Sequence, residues 1–342
     1  MAPLFAACDS TVAPDLTDVQ AYTCKIDANT GECAGTPTLG ADRLVFGSPE
    51  ELEVYLKPLQ DAPREELEAA EARNGFQSLR AYLDSNEDTE EAAKASDGSE
   101  EPTGNEARAL EQDGVTREDF PVSDAFLSVL NARGEVAVGG SVFKVTRDHV
   151  YEVSPDYAVT LDEKVPTLSS APPADGDPRI TVHKVESTLR DDAHEVAASQ
   201  GAGPVFNHQP GVGGDCYVYG GSSYRMHGKS YISNFFFYAE AGVSTEWERK
   251  KSFLWWSYWS NTWQSGTLSH SFTSSVVFGM WNGPWFPIGP ASGSQSQTGT
   301  SKIHRTVAWG VGFGVRLRGE LHTRHNVANG YVTGSCFTDA SA

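Results

Sequence analysis

The residues best suited to meeting a ligand are crowded into one run, Trp255-Trp256-Ser257-Tyr258-Trp259-Ser260-Asn261-Thr262-Trp263. Aromatic faces interleaved with Ser and Asn stack on sugar rings while the polar groups bond hydroxyls. Lys250 and Lys251 stand directly before them, and Trp281-Asn282-Gly283-Pro284-Trp285-Phe286 offers a second platform. The competing reading is that alternate rings fill a β core. The candidate binding set is Trp255, Trp256, Tyr258, Trp259 and Trp263. The only carboxylates close by are Glu246 and Glu248. Two apart on a strand, they share one face at roughly 6–7 Å.

Other chemistry is thinly represented. His322 and His325 are the only close histidine pair, and three positions apart on a strand they point to opposite faces, so no metal site is expected there. The chain has no His-Glu-x-x-His, Gly-x-Ser-x-Gly or Cys-x-x-Cys, and no Gly-x-Gly-x-x-Gly in front of a helix. Asp27-Ala28-Asn29-Thr30-Gly31 starts like a calcium loop but lacks the later bidentate Glu, and reads as a turn. No catalytic residue, metal or cofactor is assigned.

Five cysteines stand at 8, 24, 33, 216 and 336. Cys24 and Cys33 flank the Asp27–Gly31 turn, and Cys216 and Cys336 bracket the Trp-rich region. Four cysteines allow three connectivities; Cys24–Cys33 with Cys216–Cys336 is the preferred one. The stretch Leu4-Phe5-Ala6-Ala7-Cys8 resembles the lipobox of bacterial lipoproteins, with Phe5 where Leu is usual and no basic or long apolar segment before it. That resemblance implies a diacylglycerol on Cys8. Acylation of Cys8 leaves an even number of thiols for bridging, which points to an oxidising, exported location at the cell surface or in the periplasm.

The 342 residues carry a formal charge of −20, with 26 basic and 46 acidic side chains. From Asp215 onward there are ten basic residues against six acids, a net of +4, which leaves −24 for the first 214. All eight tryptophans lie in the later stretch. Two units with different physical tasks are expected. The acidity argues against general binding to a phosphate backbone, and no run of 18 apolar residues offers a membrane-spanning helix.

These features need elements to position them. Residues 1–45 read as a tether with a Cys-bounded turn, 46–159 as a small α+β unit with an acidic flexible insertion at 84–119, 160–212 as a linker, and 213–342 as a Trp-rich β domain. Ser48-Pro49-Glu50-Glu51 predicts a helix start, Pro63-Arg64-Glu65-Glu66 a second helix ending near Asn74-Gly75, and Phe76, Leu79, Tyr82 and Leu83 a third helical face. Val122–Leu130 predicts a short helix. Strands are expected at Glu135–Val138, Val142–Thr146 and Val150–Val153, with Gly139-Gly140 as a hairpin turn. Tyr231–Trp247 reads as a long strand pair. Thr306–Leu321 reads as one strand, apolar at odd positions, with Gly310, Gly312 and Gly314 leaving room for a ring or a backbone packed close. The fold class is therefore an α+β N-terminal unit followed by an all-β, sandwich-like C-terminal domain.

The Phe46-Gly47-Ser48 start and Asn74-Gly75-Phe76-Gln77-Ser78-Leu79 resemble the N-terminal segments of uncharacterised Bacteroidetes-type exported lipoproteins, over about the first hundred residues. The resemblance implies a place in the cell envelope and brings no activity. The expectation is an exported, lipid-anchored binding or structural protein whose partner is a glycan or an envelope protein. It meets no nucleic acid, and meets the membrane only through its lipid. The alternative is a secreted enzyme acting on polysaccharide or peptide, with its site in the Trp-rich domain.

Overall fold

The computed structural model describes residues 43–85, 115, 117–169, 172, 176–188, 214–253, 256–280, 283–329 and 333–342, with short strands at 25–26, 33–34 and 205–206. The side chains of the three short strands, and those at 251–258 and 260, lie outside the description.

Strand β1 (Lys25–Ile26) pairs antiparallel with β2 (Cys33–Ala34), and the turn expected between them lies outside the described residues. Cys8, Cys24 and the Cys33 side chain lie outside the described residues. The folded N-terminal unit begins at β3 (Val45–Phe46) and enters α1 (Pro49–Leu56). Ser48 caps α1 by accepting the Glu51 amide, and Pro49 sits where its missing N–H has no intrahelical partner to lose. Helix α2 (Arg64–Asn74) stops at Gly75, whose φ of 73° belongs to the left-handed region. A helical turn follows over 79–85, α3, and then α4 (Asp124–Val129) under a Ser123 cap.

The hairpin strands β4 (Glu135–Val138), β5 (Ser141–Val145) and β6 (His149–Val153) fall within a residue of their expected bounds. Gly139 and Gly140 both have positive φ, 60° and 87°, as a two-residue turn matched to strand twist demands. Helix α5 (Ala158–Lys164) and strand β7 (Thr181–Lys184) complete the unit, whose sheet runs β3-β4-β5-β6-β7. Both lie mainly in the segment read as linker. At the other boundary Val115 is buried, and Arg117 reaches the carbonyls of Phe120 and Val122 and the Asp124 carboxylate. The acidic insertion thus ends in ordered chain before 119.

The C-terminal region is all β and antiparallel. Its strands are β8 (Glu186–Ser187), β9 (Val205–Phe206), β10 (Asp215–Gly220), β11 (Tyr224–Phe235), β12 (Tyr238–Phe253), β13 (Trp256–Asn261), β14 (Gln264–Ser274), β15 (Val277–Met280), β16 (Trp285–Pro287), β17 (Ser292–Thr300), β18 (Lys302–Val311), β19 (Val315–Arg318), β20 (Glu320–Ala328) and β21 (Thr333–Ser341). One sheet runs β13-β12-β11-β10-β9, with β18 beside the first part of β12 and β8 beside β11. The facing sheet runs β17-β14-β20-β21, and a small sheet β16-β15-β19 flanks them. Between the two large sheets lie Met226, Trp247, Leu268, Ile303 and Val327 around the Cys216–Cys336 disulfide, which joins β10 to β21 with Cα atoms 5.9 Å apart.

One expected element is broken. Thr306–Leu321 is not a single strand: β18 ends at Val311, β19 covers Val315–Arg318 and β20 starts at Glu320. Gly312, Gly314 and Gly319 take φ of 149°, 74° and 123°, conformations that leave the extended region and bend the chain. Gly310 does what alternate glycines were expected to do. The Phe278 ring fills the place of its side chain, and a Cβ there would meet Phe278 at 2.2 Å.

The largest apolar cluster draws on both regions. Phe126 of α4 stacks flat on Tyr238 at 4.0 Å and lies 5.5 Å from Phe235, while Phe143 of β5 lies 4.7 Å from Phe237. Trp309 and Val311 pack against the same cluster.

Candidate functional site

Strand alternation sorts β10–β13 and β18 into two faces. The inward set makes the sandwich core. The outward set brings together Asp215, Tyr217 and Tyr219 from β10, Arg225, His227 and Lys229 from β11, Glu246 and Glu248 from β12, Trp259 from β13 and Lys302 from β18. The register places Tyr217 beside His227, His227 beside Glu246, Arg225 beside Glu248, and Glu246 beside Lys302.

At the centre, His227 is buried and bonded at both nitrogens, Nε2 to Asp215 Oδ1 at 3.1 Å and Nδ1 to Glu248 Oε1 at 3.0 Å. Burial and the Lys229 ammonium push its pKa down, Glu248 and Asp215 push it up by more, and it stands at about 9. The ring is therefore an imidazolium at neutral pH, donating from both nitrogens. Tyr217 stacks over it with centroids 4.4 Å apart.

Glu248 also accepts from Arg225 Nε. The Arg225 guanidinium lies between two rings, 4.2 Å from the Tyr217 centroid and 4.3 Å from that of Trp259. Tyr219 meets Trp259 edge-on at 5.9 Å. Glu246 accepts the Ser244 hydroxyl at 2.7 Å and pairs with Lys302 at 3.1 Å and Lys229 at 3.6 Å. Burial raises its pKa, but the two lysines, His227 and Ser244 hold it well below the ordinary carboxylate range.

Three anions thus face four cations, which leaves the paired cluster with one positive charge in excess. One ligand atom each from His227, Glu246 and Glu248 comes within 4.8 Å of the others, a spacing that would admit a metal ion. A metal there would have to take the proton from a His227 that titrates near 9 and displace lysines from Glu246. The donor set fits an ion-pair network better than a metal centre. Nor is any of these groups poised to move a proton near neutrality, since His227 is charged and the carboxylates are paired. The network acts as a rigid backing that fixes three half-buried rings, Tyr217, Tyr219 and Trp259, at one end of the sheet.

Of the binding set read from sequence, Trp259 lies in this cluster. Trp263 is 64% exposed after β13, its Nε1 donating to the Gly299 carbonyl at 2.8 Å. Trp256 and Tyr258 are on β13 with side chains outside the described residues, and Trp255 lies outside them altogether, as does Trp281. Trp285 is half-buried under the Arg318 guanidinium at 4.6 Å, with Phe286 exposed. Glu246 and Glu248 share one face, as their spacing predicts. His322 is exposed and His325 buried on opposite faces of β20. Sequence reasoning missed Asp215, Tyr217, Tyr219, Arg225 and His227. Their signal was the matched i, i+2 spacing of Asp215/Tyr217/Tyr219, Arg225/His227/Lys229 and Glu246/Glu248, which shows as one surface only once the strands are paired.

No protein-family model matches the chain, and no curated protein sequence matches it. A solved structure that the chain matches weakly is a DUF4848 family protein from Bacteroides thetaiotaomicron. It is 12% identical over 90% of this chain and 99% of that one, with a TM-score of 0.25. A likeness at that level carries no argument about this chain. Among the described residues no helix is long and apolar enough to cross a membrane.

Proposed function

We propose that the chain is an exported, lipid-anchored binding protein of the bacterial cell envelope that presents its disulfide-closed β region and takes a glycan on the Tyr217–Tyr219–Trp259 face. The observation that carries the binding reading is the Arg225 guanidinium held between the Tyr217 and Trp259 rings with Glu248 behind it. The rings are fixed before a ligand arrives, so little ordering entropy opposes stacking. Export rests on Cys216–Cys336, since such bridges persist in oxidising compartments, and anchoring rests on the lipobox-like approach to Cys8. The enzyme reading draws less support: Glu246 and Glu248, its natural acid and base, are both held ionised by the cations around them.

The test is a glycan array followed by calorimetry on the full chain, with Trp259→Ala and Tyr219→Ala variants. Glycan binding that both variants abolish, with melting temperature unchanged in at least one, is the expected result. Binding indifferent to both, or no glycan bound, removes the assignment. Anchoring is read separately, because Cys8→Ser in the native gene should move the protein from the membrane fraction to the soluble one.

A further inference from the structure

The sheet β17-β14-β20-β21 ends on one side at β17, whose sequence is Ser292-Gly293-Ser294-Gln295-Ser296-Gln297-Thr298-Gly299-Thr300. Taking Ser and Thr as one class, it reads the same in both directions about Ser296. Gln295 mirrors Gln297, Ser294 mirrors Thr298, Gly293 mirrors Gly299 and Ser292 mirrors Thr300. An antiparallel pair related by a two-fold axis sets each residue opposite its mirror position. This strand is therefore matched to itself.

Among the described residues no strand pairs with its outer edge. The Ser274 amide donates to the Ala291 carbonyl at 2.8 Å, which fixes the phase of the ladder to β14. Gly293, Gln295 and Gln297 then bond inward, and Ser292, Ser294, Ser296 and Thr298 turn their N–H and C=O groups outward. Arg305 Nη1, reaching across from β18 to the Ser294 carbonyl at 3.2 Å, agrees with that phase. The side chains of Ser292, Ser294, Ser296, Gln297 and Thr298 are exposed. Edges of this length are ordinarily blunted by a charge, a proline or a bulge. β17 has no charged residue and no proline, and its register with β14 is unbroken from Ser292 to Thr298. The exposed Trp263 indole is bonded at Gly299, near one end of the edge. A two-fold pair would place one indole at each end, opposite Gly293 of the second copy, whose side-chain place is filled by its own Phe272 ring.

We propose that β17 pairs antiparallel with β17 of a second copy of this chain, with Ser296 on the two-fold axis, joining two four-stranded sheets into one of eight. Ser296 meets its own copy as a hydrogen-bonded pair, and Ser294 meets Thr298 on either side. Arg305 turns away from Ser294 as the second strand arrives. An isologous contact of this kind closes on itself and stops at two copies.

The full-length, oxidised protein tests this directly. Facing residues of a hydrogen-bonded pair have Cα atoms about 5.5 Å apart, inside the range a disulfide spans. Ser296→Cys should therefore give a covalent dimer on air oxidation, seen on a non-reducing gel. Ser294→Cys should not exceed the parent protein, because its copy stands about four residues away, roughly 13 Å. Sedimentation equilibrium should show a concentration-dependent dimer that Ser296→Lys abolishes, by setting like charges face to face, and that Arg305→Ala strengthens by removing the competing donor. A parent that stays monomeric throughout, a dimer indifferent to Ser296→Lys, or cross-linking of Ser294→Cys as fast as Ser296→Cys would each overturn the proposal. A monomer that instead captures an extended peptide along β17 would overturn it too.

Discussion

Glu240 accepts both the backbone N–H of Ser123 at 3.0 Å and its hydroxyl at 2.9 Å, so one carboxylate in β12 holds the cap of a helix 117 positions earlier in the chain. The same carboxylate takes the hydroxyls of Tyr238 at 2.6 Å, Tyr231 at 2.8 Å and Thr306 at 3.2 Å, and is fully buried. Each buried donor left without its acceptor typically costs about 1–3 kcal/mol. Glu240→Ala strands several at once and should lose more than about 3 kcal/mol in urea unfolding. Ser123→Ala should lose about 1–2 kcal/mol as a cap. A Glu240→Ala loss below that of Ser123→Ala would show that this contact does not join the two regions.

Stability should peak near pH 6.5–7 and fall on both sides. Burial and Arg305 lower the His270 pKa to about 4, burial and Lys302 lower that of His304 to about 3, and burial with His270 holds His325 well below its usual range. An unfolded histidine titrates near 6.5. Between 6.5 and 4 the unfolded chain binds more protons, so stability drops as the pH falls, by about 3 kcal/mol for His270 alone. His227 runs the opposite way. Its folded pKa of about 9 gives stability that is complete below 6.5 and lost as the pH rises through 9. Melting temperatures from pH 4 to 9.5 check both limbs: His270→Asn should flatten the acid one and His227→Gln the alkaline one.

The Cys216–Cys336 bridge closes a loop with a sequence separation of 120. In the chain-entropy model a loop of that length stabilises by up to about 4–5 kcal/mol. A Cys216→Ser/Cys336→Ser double variant should unfold at correspondingly lower denaturant, and reductant should reproduce the change in the parent. Non-reducing mass spectrometry of native protein should find these two thiols absent; finding both free would also remove the main support for export.

A fragment covering 213–342 should not fold alone. It would leave Phe235, Phe237 and Tyr238 without the Phe126 and Phe143 rings that cover them, and Glu240 without Ser123. Circular dichroism and ANS binding should show a partly ordered, dye-binding species. Co-expression with a fragment covering 43–188 should restore cooperative melting. A cooperatively folded lone fragment would mean that the shared cluster is dispensable.

Much of the local structure was legible in the sequence because it is set by local chemistry. Ser48-Pro49, Asn74-Gly75 and Gly139-Gly140 mark the boundaries where the structure places them. Of the three pairings the cysteine count left open, the preferred one contains the Cys216–Cys336 staple that the structure forms. What was hidden depends on neighbours far along the chain. Nothing near Thr306–Leu321 announces that Gly312, Gly314 and Gly319 are bends and Gly310 a seat for Phe278, because the same residue serves both purposes. The Tyr217–Arg225–Trp259 stack needs three strands in register, and no single segment carries its pattern. The shared cluster was concealed for a similar reason: Phe235-Phe236-Phe237-Tyr238 reads as strand core in any β domain, and its partners sit a hundred residues upstream.

The bridge between β10 and β21 also sets how the molecule would respond to being pulled. Tension entering the sandwich from the direction of Gly214 meets Cys216 within two residues and passes through the sulfur atoms to Cys336. The strands lying between those cysteines in sequence are off the load path. They cannot be drawn out while the bond is intact, whatever their own hydrogen bonds withstand. A pulling experiment across the sandwich should therefore show an extension shorter by the whole enclosed loop in oxidised protein, with the missing length returned on reduction. Strands β11–β13 would keep their shape under a pull that unravels the chain ahead of Gly214.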